Sequence, residues 1–359
     1  MGSTRAVVGR WLTLATLLLA AACASLSHTP ADPTASSLWS PTARAPSELA
    51  RFDDPQAPFE PEDDLIESGR RYQLHRLSFP SVGDNGQAGN LVTVDYHRSL
   101  LPGTHPAVIV LPIWGRHVYP SNVITKAVKQ RSDGAVHVLN VLGERFLIDW
   151  PALGEASDEA SFTATWEQGA ERETATVVDV RRLMDWAAGR TEIDGRRFGL
   201  VGFSHGAMFA PVVAAADSRI GALVLVMGGA HPDRVIARCE GTRTGTIQDL
   251  AAERLGWSRD EMEARLEPLY RHMDPARYAG LINPAGVLIF EAGEDDCIPR
   301  SARDALWFAT GCPERWTIGT GHRRAFFTMT PLRFNWMRGT IWHFLERRLL
   351  LNEQAAASD

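Results

Sequence analysis

Five consecutive residues, Gly202-Phe203-Ser204-His205-Gly206, place a serine between glycines at i−2 and i+2. The apolar run Phe198-Gly199-Leu200-Val201 precedes them and Ala207-Met208-Phe209 follows. An apolar strand is therefore expected to turn sharply into a helix, with the serine at the turn. Such a turn strains the serine backbone, and a side chain at either flanking position would collide with it. The chemistry of this arrangement is nucleophilic. A hydroxyl so placed attacks a carbonyl carbon once a base takes its proton. Two glycines and a serine at this spacing also arise by chance in long chains, so the remaining catalytic parts must be found elsewhere.

A carboxylate and a base follow in chain order. Gly293-Glu294-Asp295-Asp296-Cys297-Ile298-Pro299 comes after the apolar strand Val287–Phe290, and Gly321-His322 comes after the short strand Arg315–Ile318. An imidazole titrates near 6.5, which suits His322 to general-base work at neutral pH. A carboxylate beside it would fix its tautomer and stabilise the imidazolium. Asp233 is a remote third acid candidate. The developing oxyanion needs two backbone N–H donors. The amide of His205, rather than its ring, should supply one. The other should come from Pro112-Ile113-Trp114-Gly115-Arg116, after the strand Ala107–Leu111. Pro112 has no N–H and is excluded. Trp114 is expected either to touch substrate or to pack under the loop, and Arg116 either to grip an anionic group or to lie at the surface. His117, His231 and His272 read as structural or surface residues, with a place in the pocket lining as the alternative.

The elements that must hold these residues alternate along the chain. Tyr72–Phe79 and Leu91–Tyr96 read as strands, the second peripheral because its alternation is imperfect. Ala107–Leu111, Val136–Leu142, the strand before Ser204 and Ile220–Met227 are apolar runs, as in strands buried on both faces. A long helix is expected over Phe162–Ala188, with Val177, Val180, Leu183, Met184 and Ala187 on one face and Gly189 as its stop. Helices are also expected over Arg300–Thr310 and through Phe334, Met337, Ile341, Phe344 and Leu345. This alternation argues for βα units around a mostly parallel sheet. It breaks between residues 228 and 283, where Ser258 and Glu261 form a capping box and Met262, Leu266, Leu269 and Met273 mark a helical face. This insert reads either as packing on the sheet edge or as a cap over the site.

With these residues in order, 107–322 resembles the α/β-hydrolase superfamily, about 220 of 359 residues. The closest patterns are those of dienelactone-hydrolase-like and acetylesterase-like members. The matching residues are Asp179-Val180-Arg181-Arg182 with Asp185-Trp186, Gly202–Gly206, Asp217-Ser218-Arg219-Ile220-Gly221-Ala222, Asp274-Pro275 with Tyr278, Gly293–Asp296 and Gly321-His322. The resemblance implies an α/β-hydrolase fold, a mostly parallel sheet flanked by helices, with a helical cap-like insert after the sixth strand. It implies a serine hydrolase acting on carboxylic esters through an acyl-enzyme, with no metal or organic cofactor. The family's Gly-x-x-Asp pattern selects Asp296 as the acid. Its usual four-residue spacing from acid to proline fits Asp295 instead, since Pro299 follows, so the loop looks one residue short. Similarity of Pro112–Gly115 to a Glu-Ile-Phe-Gly stretch places the second oxyanion donor at Ile113, with Trp114 as the alternative. Pro112 replaces that stretch's glutamate and Ser204 replaces the family's cysteine, so dienelactone specificity is not implied. The alternatives are a serine peptidase or amidase of the prolyl-oligopeptidase-like group, or an inactive hydrolase fold that binds.

Composition sets the frame. A chain that is 45% hydrophobic and 22% charged has ample apolar material for a large core. A formal net charge of −6 argues against nucleic acid as partner. Arg5 and Arg10 precede an apolar stretch, Trp11–Ala22, of 12 residues. That length suits a signal peptide rather than a membrane span. Leu19-Ala20-Ala21-Ala22-Cys23 resembles a lipobox, with Ala20 where leucine is usual, so Cys23 is expected to carry a lipid; ordinary secretion is the alternative. The protein is then exported, periplasmic or lipid-anchored to the cell envelope, with membrane contact only through that anchor. Residues 23–68, rich in Pro, Ala and Ser, read as a tether partly packed through Leu38, Trp39, Phe52 and Phe59, 69–351 as the hydrolase domain and 352–359 as a polar tail. Three cysteines remain after Cys23. A helix of about eleven residues, ~16 Å of rise, separates Cys297 from Cys312 and exceeds the ~7 Å limit for a disulfide. Cys239 on the insert could reach Cys297 near the mouth of the site.

Overall fold

Apolar runs rich in Val, Ile and Leu lie side by side in a ten-stranded sheet. The computed structural model describes residues 25–40, 47–53, 59–83, 90–113, 119–143, 147–240, 243–327 and 335–351. The strands are β1 (Leu26–Thr29), β2 (Glu62–Ser68), β3 (Tyr72–Pro80), β4 (Leu91–Ser99), β5 (His105–Leu111), β6 (His137–Val141), β7 (Ile193–Phe203), β8 (Ile220–Val226), β9 (Val287–Ala292) and β10 (Glu314–Ile318). Their order is β1-β10-β9-β8-β7-β5-β6-β4-β3-β2. The run from β6 through β10 is parallel, and the outer pairings are antiparallel. Each face of the parallel part is covered. Val177, Leu183 and Met184 of the helix Glu159–Ala188 pack on one side with Phe209 and Val213 of the helix His205–Ala216. Ile124 and Val128 of the helix Tyr119–Ser132 pack on the other with Met337, Ile341 and Leu345 of Asn335–Glu346.

The chain runs from β5 to β6 on one side, then back across β5 to β7 on the other. Helices that leave adjacent strands toward opposite faces open a crevice at the strands' C-terminal ends. Ser204 stands at the end of β7 and Ile113 just past the end of β5, so both border this crevice.

Several residues that carry the family resemblance turn out to brace the scaffold. Asp179 is buried, accepts hydrogen bonds from Ser81 Oγ and the Val82 amide, and pairs with Arg182. Arg219 bonds both Asp217 and Asp185, tying the long helix to the turn before β8.

Two expectations need correction. The stretch 23–68 is not simply a tether. β1 pairs with β10, β2 pairs with β3, and the 3-10 turn Ser47–Phe52 buries Leu49 and Phe52. Pro30 follows β1 and Pro61 precedes β2, so neither removes a ladder bond. β2 is exposed along its whole length and carries Glu62, Asp63, Asp64 and Glu67, charges that discourage further edge pairing. β4 is not peripheral, since β3 and β2 lie outside it and Val94 and Tyr96 are buried. The insert, whose role was left open, is helical and carries several elements. It carries helices Pro232–Arg238, Arg243–Leu255 and Arg259–Tyr270, the last opened by the expected Ser258/Glu261 capping box. Ile236, Ile247, Trp257, Leu266 and Tyr270 form an apolar cluster with Phe162 and Trp166 of the long helix. Among the described residues no helix is long and apolar enough to cross a membrane. Residues 1–22, Cys23 and the tail 352–359 lie outside the described residues.

Candidate active site

The turn at Ser204 has the geometry its glycines imply. Ser204 adopts φ 48° and ψ −111°, a conformation that L-residues rarely take. A Cβ on Gly202 would lie 2.4 Å from the Gly206 carbonyl oxygen, and one on Gly206 would lie 2.5 Å from that of Pro112. Both glycines are therefore required by close backbone approach. The Ser204 amide donates to the Val226 carbonyl, which fastens the turn to β8.

The strand ladder brings the other two side chains together. β9 and β10 are parallel neighbours in which Ala292 faces Ile318. Beyond the strands the ladder continues: Gly293 N–H donates to the Ile318 carbonyl and Glu294 N–H to that of Thr320. This register sets the next residue, Asp295, opposite His322. His322 Nδ1 lies 2.8 Å from Asp295 Oδ2, and His322 Nε2 lies 2.9 Å from Ser204 Oγ. An ionised carboxylate can only accept, so Nδ1 carries the ring proton and Nε2 accepts from the serine hydroxyl. The Asp295 carboxylate is fully buried, and the His322 ring is 7% exposed.

Here the sequence expectation of Asp296 is corrected. Asp296 is exposed, and its backbone carbonyl accepts from the Glu240 amide. Asp295 Oδ1 accepts from the amides of Cys297 and Ile298, which folds the carboxylate inward. The spacing from acid to Pro299 was the informative signal, and the spacing from Gly293 misled. Asp233, the third candidate, is buried in the first turn of the helix Pro232–Arg238. Desolvation, reinforced by Glu263, pushes its carboxyl up to about 6.

His205 opens the helix that follows Ser204, where first-turn amides point out of the helix end. Ile113 is partly buried beside the Pro112 carbonyl that touches Gly206. Trp114, Arg116 and His117 lie outside the described residues. The His205 ring has a partner that the sequence reading missed. Its Nε2 lies 3.0 Å from Glu173 Oε1, both side chains being less than a tenth exposed. The available signal was periodicity. Glu173 is four residues before Val177 on the apolar face of the long helix, where a charge has no solvent to meet. His231 and His272 hold structural contacts. His231 Nδ1 lies 2.8 Å from Asp274 Oδ2, a bond that raises the imidazole pKa. His272 Nε2 lies 2.8 Å from Thr174 Oγ1, and burial lowers it to about 4.

Cys239 and Cys297 are joined in a disulfide, while Cys312 is free. The bond ties the insert to the loop that carries Asp295.

No protein-family model matches the sequence, and no curated protein matches it. Solved structures do match. Acetyl xylan esterase 1 from Thermoanaerobacterium sp. JW/SL YS485 superimposes with a TM-score of 0.59 at 16% identity, covering 89% of this chain and 99% of that one. An acetyl xylan esterase from Paenibacillus sp. R4 gives 0.59 at 14% identity over 89% and 96%. A 2,6-dihydroxy-pseudo-oxynicotine hydrolase gives 0.51 at 15% identity over 77% and 68%. At such identities the likeness establishes the fold: this chain has the α/β-hydrolase fold.

Proposed function

We propose that this protein is a serine hydrolase that cleaves carboxylic esters through an acyl-enzyme on Ser204, His322 and Asp295. The observation that carries the reading is the continuous chain from Ser204 Oγ through both ring nitrogens of His322 to Asp295 Oδ2. Each contact is within proton-transfer reach. In the first half-reaction His322 Nε2 takes the serine proton as Oγ attacks the ester carbonyl. Asp295 holds the Nδ1–H tautomer and stabilises the imidazolium without itself taking the proton. His205 N–H and Ile113 N–H receive the oxyanion, and His322 returns its proton to the departing alkoxide. In the second half-reaction His322 activates a water that cleaves the acyl-serine, releasing the acid. Both half-reactions need only the groups named and water.

Two structural neighbours are named acetyl xylan esterases, which makes acetyl esters of sugars the first substrates to examine. The Cys239–Cys297 disulfide supports the exported reading, since such bonds persist in oxidising compartments. With the apolar stretch Trp11–Ala22 ahead of Cys23, it favours a mature protein in the envelope, lipid-anchored through Cys23. Hydrolysis of p-nitrophenyl acetate and acetylated xylo-oligosaccharides, alongside matched p-nitroanilides, tests the function. Ester turnover that vanishes in Ser204→Ala is expected. Turnover confined to anilides would indicate an amidase, and none on any substrate would indicate a binding protein.

A further inference from the structure

The carboxylate that faces His322 is held from two sides, and the second leads into the insert. Asp295 Oδ2 meets the imidazole, while Oδ1 accepts from the amides of Cys297 at 2.8 Å and Ile298 at 2.7 Å. The residue whose amide grips Oδ1 is also the residue whose sulfur is bonded to Cys239. Cys239 is buried at the end of the helix Pro232–Arg238, and its carbonyl accepts from Thr244 Oγ1 and Gln248 Nε2, both at 3.2 Å. One residue further, Glu240 N–H donates to the Asp296 carbonyl at 2.9 Å. The two strands of contact pin Asp296 and Cys297, on either side of the peptide joining them. Beneath them Met208 of the helix after Ser204 packs with Val235 of the insert and with Ile298 and Ala302 of the acid segment. Elbow, acid loop and insert thus meet around the disulfide.

We infer that Cys239 and Cys297 are positioning residues for the reaction: their disulfide fixes the register of a loop that offers two consecutive carboxylates, so that Asp295 and not Asp296 faces His322. The proposal rests on the reading of Asp295 as the catalytic acid. With the disulfide intact, the Cys297 amide cannot leave Oδ1, the Asp295 side chain stays turned inward and Asp296 stays in solvent. With it cut, the Glu240–Asp296 backbone bond and the packing of Val235 against Ile298 remain between insert and loop. The loop then gains freedom to rotate its two carboxylates past the imidazole. Because the acid acts in the transition state, turnover suffers and substrate binding does not.

The test uses the mature protein and an acetyl ester. Cys239→Ser cuts the bond without altering any residue of the acid loop. The expected result is a fall in kcat of about tenfold with KM within about twofold, in a protein with unchanged circular dichroism. Reduction of the folded wild type by a dithiol tests the same bond without mutation. Two electrons and two protons pass from the dithiol, which closes to its cyclic disulfide, and Cys239 and Cys297 become thiols. The same loss of kcat is expected, with recovery on reoxidation. A double-mutant cycle separates positioning from general stability. In an Asp295→Asn background, Cys239→Ser should cost less than about twofold further, because the group it positions is already disabled. Unchanged kcat on cutting the bond, or losses that multiply in the double variant, would overturn the proposal. Should Asp295→Asn itself retain wild-type turnover, the catalytic reading of Asp295 fails, and this inference with it.

Discussion

Two buried histidines at opposite parts of the sheet make an instructive pair. His137 opens β6 and His322 follows β10, and both have partners at both ring nitrogens. At His137 the Ser99 amide donates to Nδ1, so that nitrogen is unprotonated, and Nε2–H donates to the Glu192 carbonyl. Tyr96 Oη also lies 3.1 Å from Nδ1. Burial pushes this imidazole down to about 4. Protonation would break the Ser99 bond, so the ring is neutral at neutral pH. At His322 one nitrogen meets a carboxylate and the other a hydroxyl on a strained turn. Burial and full hydrogen bonding are common to both. What separates them is partner chemistry, a carboxylate and a hydroxyl against two backbone groups, and position at the C-terminal ends of the parallel strands.

The comparison is broken most severely by exchanging fates. His322→Ala should lower kcat by about 10⁴- to 10⁶-fold, while His137→Gln should leave it within about twofold. A large catalytic loss at His137 in a folded variant would show the distinction to be wrong. The adjacent carboxylates form a smaller version of the same contrast. Asp295→Asn should cost about 10²- to 10⁴-fold in kcat, and Asp296→Asn less than about twofold, measured on one ester at saturation. The reverse order would restore the Gly-x-x-Asp reading. The smallest effect is in stability. A histidine whose folded pKa lies below its unfolded value contributes stability above the unfolded pKa and loses it as pH falls through the folded one. For His137 the window runs from about 6.5 down to about 4, with of order 2 kcal/mol lost by pH 5. His97, pushed to about 3 by burial and the nearby Lys129, adds in the same direction. Denaturant titrations at pH 7.5 and 5 should therefore show a drop that His137→Gln makes shallower.

The same distinction governs what could be read from the sequence. The central strands and the serine turn were legible because both obey local rules: apolar runs for strands buried on both faces, and glycines where backbones touch. The identity of the acid was not, because Asp295 and Asp296 differ by one residue and only the ladder between Gly293–Glu294 and Ile318–Thr320 sets which one points inward. β1 and β2 escaped notice because short or wholly exposed edge strands bury too little to leave an apolar pattern. Glu173 went unread although its place on the apolar face of Val177 and Met184 was visible. The Cys239–Cys297 pair could be raised as a hypothesis from spacing. Its contact with the acid through the Cys297 amide could not.

The central claim is that Ser204 is a nucleophile activated by His322. Treating the protein with a fluorophosphonate and mapping the adduct by peptide mass spectrometry tests it directly. The account predicts a single phosphonyl group on the peptide containing Ser204, absent in Ser204→Ala and strongly slowed in His322→Ala. An adduct on another residue, or ester turnover that survives Ser204→Ala, would contradict it.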